Sequence, residues 1–367
     1  MKFLSHFLNI LIFFILCFLM SFTYQYTFIF KDGIYILIFL ISLIFIGIIS
    51  VLLHELGHFL FGKLTGYKLI LFRLFNKVYI KETKKKNKSF QPGILGQCLM
   101  YYDNYENKQP YLLYNYGGVI INYLLLIIFS IIYIYINNDI VRIISFSGSF
   151  VNFVLAYSNI AIFKNQPNDG RNIKEISESN DNKRLYFKQL KNSKSLYVSD
   201  SFEDLDLEYD LDLFDSYLSF QNFLLIYYKV FDEEKYEEAF NLMEYLYQHK
   251  ENMILSYQYL IIFEYVFISF YLNKDINYNE VIKEIPLKII NVVKNNPNSI
   301  YKKFYITNLL IKNNNNNNNN YILDEQINKL KQLNEIEFEL PMKKVFNKII
   351  KYFEGHVRKS DSSIKEN

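Results

Sequence analysis

Tryptophan is absent from the 367 residues, and only two cysteines and five histidines occur. Cys17 lies in an apolar run and Cys98 far downstream, so neither a disulfide framework nor a cysteine-rich zinc module is available. Any bound metal must be held by histidine and carboxylate. Charge of one sign is also lacking, with a net charge of +3. That is too small to argue for nucleic acid, and no basic-aromatic recognition motif occurs, so no nucleic-acid partner is expected. Without tryptophan, the aromatics of a membrane surface must be tyrosines, such as Tyr24, Tyr111, Tyr133 and Tyr135.

Long apolar runs fill the first 163 residues, and the remainder is mixed and charged. Four runs, 4–24, 34–61, 112–136 and 141–163, each reach the roughly 20 residues needed to cross hydrocarbon. The first reads as an uncleaved anchor, because it is long and no small-x-small cleavage site is evident. Lys63, Lys68, Arg73, Lys77, Lys81, Lys84, Lys85, Lys86 and Lys88 follow the second run, whereas the turns at 31–33 and 137–139 carry little positive charge. The positive-inside rule then puts the 63–111 loop, the N-terminus and everything after Phe163 in the cytoplasm.

Near the end of the second run stands His54-Glu55-Leu56-Gly57-His58. On a helix, positions i and i+4 share a face, so both imidazoles reach one ion. Glu55 is placed to take a proton from a water held by that ion, whose pKa zinc lowers toward roughly 7. Ionisable residues within a span are costly and mark function, and here three fall within five positions. The remaining histidines, His6, His249 and His356, read as surface residues.

A third ligand is needed, and Asp169 emerges just past the fourth run on the side where His58 sits. Its setting, Asn168-Asp169-Gly170, also reads simply as a turn. In the fourth run Ser145, Ser149, Asn152, Ala156 and Asn159 form a small, polar stripe at helical spacing, which faces other helices or a watery cavity. In the third, Gly117, Gly118 and Asn122 allow a neighbour to approach closely. For most of these residues tight helix packing without chemistry is the expected role.

Together these residues resemble the site-2 protease family of membrane-embedded zinc metallopeptidases. His54 to His58 match the family's first motif. Gly117-Gly118-Val119-Ile120-Ile121-Asn122 resembles its glycine-rich element, and Asn159 followed by Asp169-Gly170 its last motif, with Ile162 where the family commonly has proline. The run from Pro92 through Gly96-Gln97-Cys98-Leu99-Met100 to Gly118 is similar to a branch found in Gram-positive bacteria, which suggests a bacterial cell membrane. The resemblance covers about residues 34–172. It implies that His54, His58 and Asp169 bind zinc, that Glu55 is the general base, and that Asn159 or Asn122 polarises the scissile carbonyl. It also implies a membrane-anchored protein or peptide as substrate.

Lys77 to Lys81 alternates polar and apolar as a half-buried strand does, and 89–100 reads as a second strand bent at Gly93 and Gly96. An exposed edge there would add an extended substrate strand near the metal. Residues 173–213 are polar and acidic and read as a linker. From 214 to 367 apolar residues recur at helical spacing. Two similar stretches, 232–247 and 275–290, repeat at about 42 residues and suggest helical hairpins loosely similar to tetratricopeptide repeats. Such a solenoid offers a surface to a peptide or protein partner. The asparagine run 313–320 reads as a solvated loop.

The expected fold is therefore mainly α. A four-span helical core with a small β hairpin or sheet after the second span occupies 1–172, and a cytosolic helical domain follows the linker. Two other readings stay open. One is a peptidase of another His-Glu-x-x-His class whose third ligand is a downstream glutamate. The other is a non-catalytic membrane protein that binds peptides or protects against them.

Overall fold

The computed structural model describes residues 33–83, 85–88, 95–102, 110–162, 168–211, 216–295, 298–313, 320–337 and 339–365. The expected first span, 4–24, lies outside these residues, as do positions 89–94 of the expected second strand and most of the asparagine run. Among the described residues three helices are long and apolar enough to cross a membrane: α1 (Gly33–Leu64), α2 (Tyr111–Tyr135) and α3 (Asp139–Ile160). They correspond to the expected spans 34–61, 112–136 and 141–163. At about 1.5 Å per residue α1 rises about 48 Å, more than a hydrocarbon core of about 30 Å. Its last turns therefore extend past the apolar layer or it lies tilted.

Large apolar side chains such as Ile44, Phe45, Ile131 and Ile134 face outward from this bundle. Lipid, not water, is the solvent that tolerates such a surface. The inward faces are small and polar instead. A Cβ added to Gly57 of α1 would come within 2.4 Å of the Gly117 carbonyl oxygen on α2, so the two backbones meet glycine to glycine. On α3 the expected stripe is buried at Ser145, Ser149, Asn152 and Ala156.

After α1 the chain turns at Gly66, whose φ of 90° suits glycine, while Tyr67 N–H donates back to the Gly62 carbonyl. Four strands follow: β1 (Lys68–Leu74), β2 (Lys77–Ile80), β3 (Lys85–Lys88) and β4 (Gly96–Tyr101). They form one antiparallel sheet in the order β3-β2-β1-β4. A small sheet after the second span is thus present, as expected. Lys68 to Leu74 has too little polar alternation to announce a strand, because one part of it is fully buried, with Ile70 and Leu71 inaccessible.

Past α3 come α4 (Asp169–Glu178) and α5 (Asn180–Val198), so the stretch expected to be a linker is largely helical. Lysine, asparagine and serine dilute its hydrophobicity, yet Leu185, Tyr186, Phe187, Leu190 and Tyr197 cluster with Ile70, Leu71, Met100 and Tyr101 of the sheet. Helices α6 (Tyr217–Asp232), α7 (Tyr236–Gln248), α8 (Leu255–Tyr271), α9 (Tyr278–Lys283), α10 (Leu287–Asn295), α11 (Ser299–Asn313), α12 (Asn320–Glu335) and α13 (Leu340–Lys365) share a second core. The stretches 232–247 and 275–290 look alike in sequence but not in structure. The first holds the single helix α7, whereas Pro286 separates α9 from α10, since proline has no N–H for the helix ladder.

Candidate metal centre

Two turns from its C-terminus, α1 presents His54 and His58 on one face, with their Nε2 atoms 3.1 Å apart. Each ring is held by its other nitrogen. His54 Nδ1–H donates to Asn122 Oδ1 of α2 at 2.5 Å, and His58 Nδ1–H donates to the Tyr114 carbonyl at 2.8 Å. Asn122 is itself fixed, its Nδ2 donating to Asn152 Oδ1 of α3 at 3.0 Å. Gly118 makes room for the ring, since a Cβ there would lie 2.5 Å from His54 Nε2.

Asp169 arrives from the start of α4. Asn168 caps that helix by accepting the Arg171 N–H at 2.9 Å, and its Nδ2 donates to the Ser158 and Ala161 carbonyls at the end of α3. Gly170 permits the junction, because a Cβ would stand 2.1 Å from the Ile160 carbonyl oxygen. The Asn-Asp-Gly triplet is thus a helix start pinned to the preceding span. Asp169 Oδ2 reaches 3.2 Å from His58 Nε2 and 3.5 Å from His54 Nε2.

The donor set fits a metal ion. With both Nδ1 atoms donating, each Nε2 carries a bare lone pair, and Asp169 Oδ2 is buried without a hydrogen-bond partner. Three acceptors within 4.8 Å of one another repel unless a cation joins them. Nitrogen ligands about 2.0–2.1 Å from a tetrahedral zinc stand about 3.4 Å apart, close to the spacing observed.

Glu55 is buried beside this group, against β4. A Cβ on Gly96 would meet Glu55 Oε1 at 2.6 Å, and the Glu55 carboxyl lies within hydrogen-bonding reach of the Cys98 backbone. Tyr114 ties the same strand to α2. Its hydroxyl donates to the Cys98 carbonyl at 2.8 Å and accepts the Met100 N–H at 3.3 Å. Asn159 lines the cavity, its Nδ2 bonded to the Leu155 carbonyl one turn back. That cavity, about 510 Å³, is walled by residues of α1, β4, α2, α3, α4 and α5.

The chain matches the family model described as "Peptidase family M50" over residues 41–360. It belongs to that family. The M50 peptidase is therefore a membrane zinc metallopeptidase of the site-2 protease kind, and its three apolar helices are those of an integral membrane protein. The match extends well beyond the motif-bearing residues 34–172 into the helices that follow. No curated protein and no solved structure matches the chain. His54, Glu55, His58, Asp169, Asn159 and Asn122 lie in or against this one centre, but Asn122 contacts His54 and does not line the cavity. Sequence reasoning passed over Asn168, Tyr114 and Tyr186. Of these only Asn168 carries a local signal, as an asparagine one residue before a helix that opens with an acid.

Proposed function

We propose that this M50 peptidase cleaves membrane-anchored polypeptides, with His54, His58 and Asp169 as zinc ligands and Glu55 as general base. The convergence of three potential ligand atoms beside a buried glutamate carries this reading. A zinc ion held there supplies Lewis acidity, activating water and polarising the carbonyl under attack. Glu55 takes the proton of the attacking water and returns it to the departing amine. Its carboxyl is kept in place by Gly96 and the Cys98 backbone. Asn159 acts as the carbonyl donor: it lines the cavity, and its Nδ2 gives one N–H to the Leu155 carbonyl and has a second to give. Asn122 acts through His54, both ends of its amide being engaged elsewhere.

A substrate helix must unwind before its peptide bonds are reachable. The outer edge of β4 would receive it, and the backbone groups of Cys98 and Met100 on that edge are already met by Tyr114. Gly96, two residues earlier on the same edge, would pair with an extended chain. The lysines after α1 favour a cytoplasmic position for the sheet and for everything after α3.

The test is to purify Glu55→Gln and Asp169→Ala in detergent and measure zinc content beside cleavage of a membrane-anchored reporter. Glu55→Gln is expected to keep its zinc and lose about 10²- to 10⁴-fold in rate. Asp169→Ala is expected to lose zinc. Full activity in the first variant, or stoichiometric zinc in the second, sinks the respective assignment.

A further inference from the structure

Helix α5 stands outside the motifs and outside the membrane spans, yet it closes one wall of the metal cavity through Tyr186 and Leu190. These residues are four apart and so lie on one face of the helix. The helix is anchored on both sides of them. Lys183 Nζ lies over the Tyr111 ring at 5.6 Å, Lys194 Nζ lies over the Tyr101 ring at 4.7 Å, and Phe187 packs against Tyr67 with ring centroids 6.3 Å apart. Tyr186 is therefore held at the cavity by contacts to α2, to β4 and to the turn after α1.

Among the described residues, its hydroxyl hydrogen-bonds with the Asn115 side chain. Asn115 Nδ2 donates to the Tyr186 oxygen at 3.0 Å, while the Tyr186 O–H donates to Asn115 Oδ1 at 3.3 Å. The first is an ordinary hydrogen bond. The second is long for an O–H donor, whose usual span is about 2.7–2.8 Å. The phenol proton is thus weakly used inside a cavity that also holds His54, Glu55, His58 and Asp169. A tyrosine hydroxyl is protonated at neutral pH and so can donate. A neutral donor with spare capacity at a peptidase cleft suits an acceptor that every peptide carries, the main-chain carbonyl.

We propose that α5 forms part of the substrate cleft and that the Tyr186 hydroxyl donates to a main-chain carbonyl of the substrate next to the scissile bond. The inference rests on the peptidase reading of the same cavity, and its test separates the two. Binding is measured in a Glu55→Gln background, where no cleavage intervenes. The probe is a fluorescent synthetic peptide with one apolar helix and a polar flank, added to full-length protein in detergent. Tyr186→Phe is expected to weaken binding about tenfold, the loss of one buried hydrogen bond, with zinc content unchanged and a melting temperature no lower than that of Asn115→Ala. Asn115→Ala removes the same interhelical bond but keeps the phenol, and is expected to bind several-fold more tightly than Tyr186→Phe. In the protein with Glu55 intact, Tyr186→Phe is expected to lower kcat/KM by a similar factor. Equal binding by Tyr186→Phe and its parent, or equal losses in Tyr186→Phe and Asn115→Ala, overturns the proposal. Tyr186-dependent binding with cleavage that does not depend on Glu55 would instead overturn the general-base assignment and leave this inference standing.

Discussion

At position 122 one amide does two jobs at its two ends. Its oxygen fixes the tautomer of His54, and its nitrogen passes the constraint on to Asn152 in the next helix. Partners of this kind set the basicity and direction of a metal ligand, and losing one costs about 10- to 100-fold in metal affinity. Asn122→Leu is therefore expected to weaken zinc binding by that factor in a chelator competition, with the helices still assembled. Gly170 is constrained as closely as Asn122. Its α-carbon faces the Ile160 carbonyl at a distance that leaves no room for a methyl group. Gly170→Ala must move the start of α4 and Asp169 with it, so zinc content should fall well below one per chain. If the alanine variant keeps full zinc, Asp169 is not held as described.

The element that joins scaffold to chemistry is β4. One side of it pairs with β1, and the other meets Tyr114 and Glu55. Tyr114 is doubly placed, since its backbone carbonyl holds His58 and its hydroxyl holds the strand. Tyr114→Phe separates these roles. The carbonyl survives the substitution, so zinc should stay bound. The strand edge loses hydrogen bonds worth about 1 kcal/mol each, so kcat/KM should fall about fivefold to thirtyfold. Zinc loss in this variant would mean that the phenol supports the metal site itself. The register shift between Leu69 and Leu71 of β1 shows that this sheet is bent, not flat, as it passes the helices.

Across the whole molecule, the sheet and the C-terminal helices meet at Arg73. Counted in the sequence with the loop lysines, it is buried on β1, and its charge interacts with Tyr197 of α5 and with Glu337 and Glu339 between α12 and α13. Burial and the neighbouring Glu337 push the Glu339 carboxyl up from 4.5 to about 8, with Arg73 offsetting part of the shift. The folded state therefore holds this proton more tightly than the unfolded chain does. The stability so gained is complete below about pH 4.5 and is lost as pH rises through about 8. Melting temperature is expected to fall less between about pH 5 and pH 9 in Glu339→Gln than in the parent. An unchanged difference between the two proteins would remove the assignment. In the helical core, Lys303 and Glu264 form a wholly buried ion pair, completed by the Tyr228 hydroxyl on Glu264 at 2.7 Å. Lys303→Met strands the carboxylate and should cost about 3–5 kcal/mol in denaturant unfolding, most of it restored by adding Glu264→Gln.

By itself the sequence determined the parts that repeat locally. The apolar runs dictate three of the expected spans, because length and hydropathy alone decide whether a helix is compatible with lipid. The pair His54 and His58 needs only helical spacing to share a face, and Glu55 comes with it. The tertiary structure decided what depends on distant segments meeting. Asp169 joins the histidines because Asn168 and Gly170 pin α4 to the end of α3, a contact that no local pattern announces. Residues 180–198 read as linker because their apolar positions are sparse, and they become a cavity wall because the sheet supplies the surface those positions bury against. Periodicity is written along a chain, but the value of a side chain depends on what arrives opposite it.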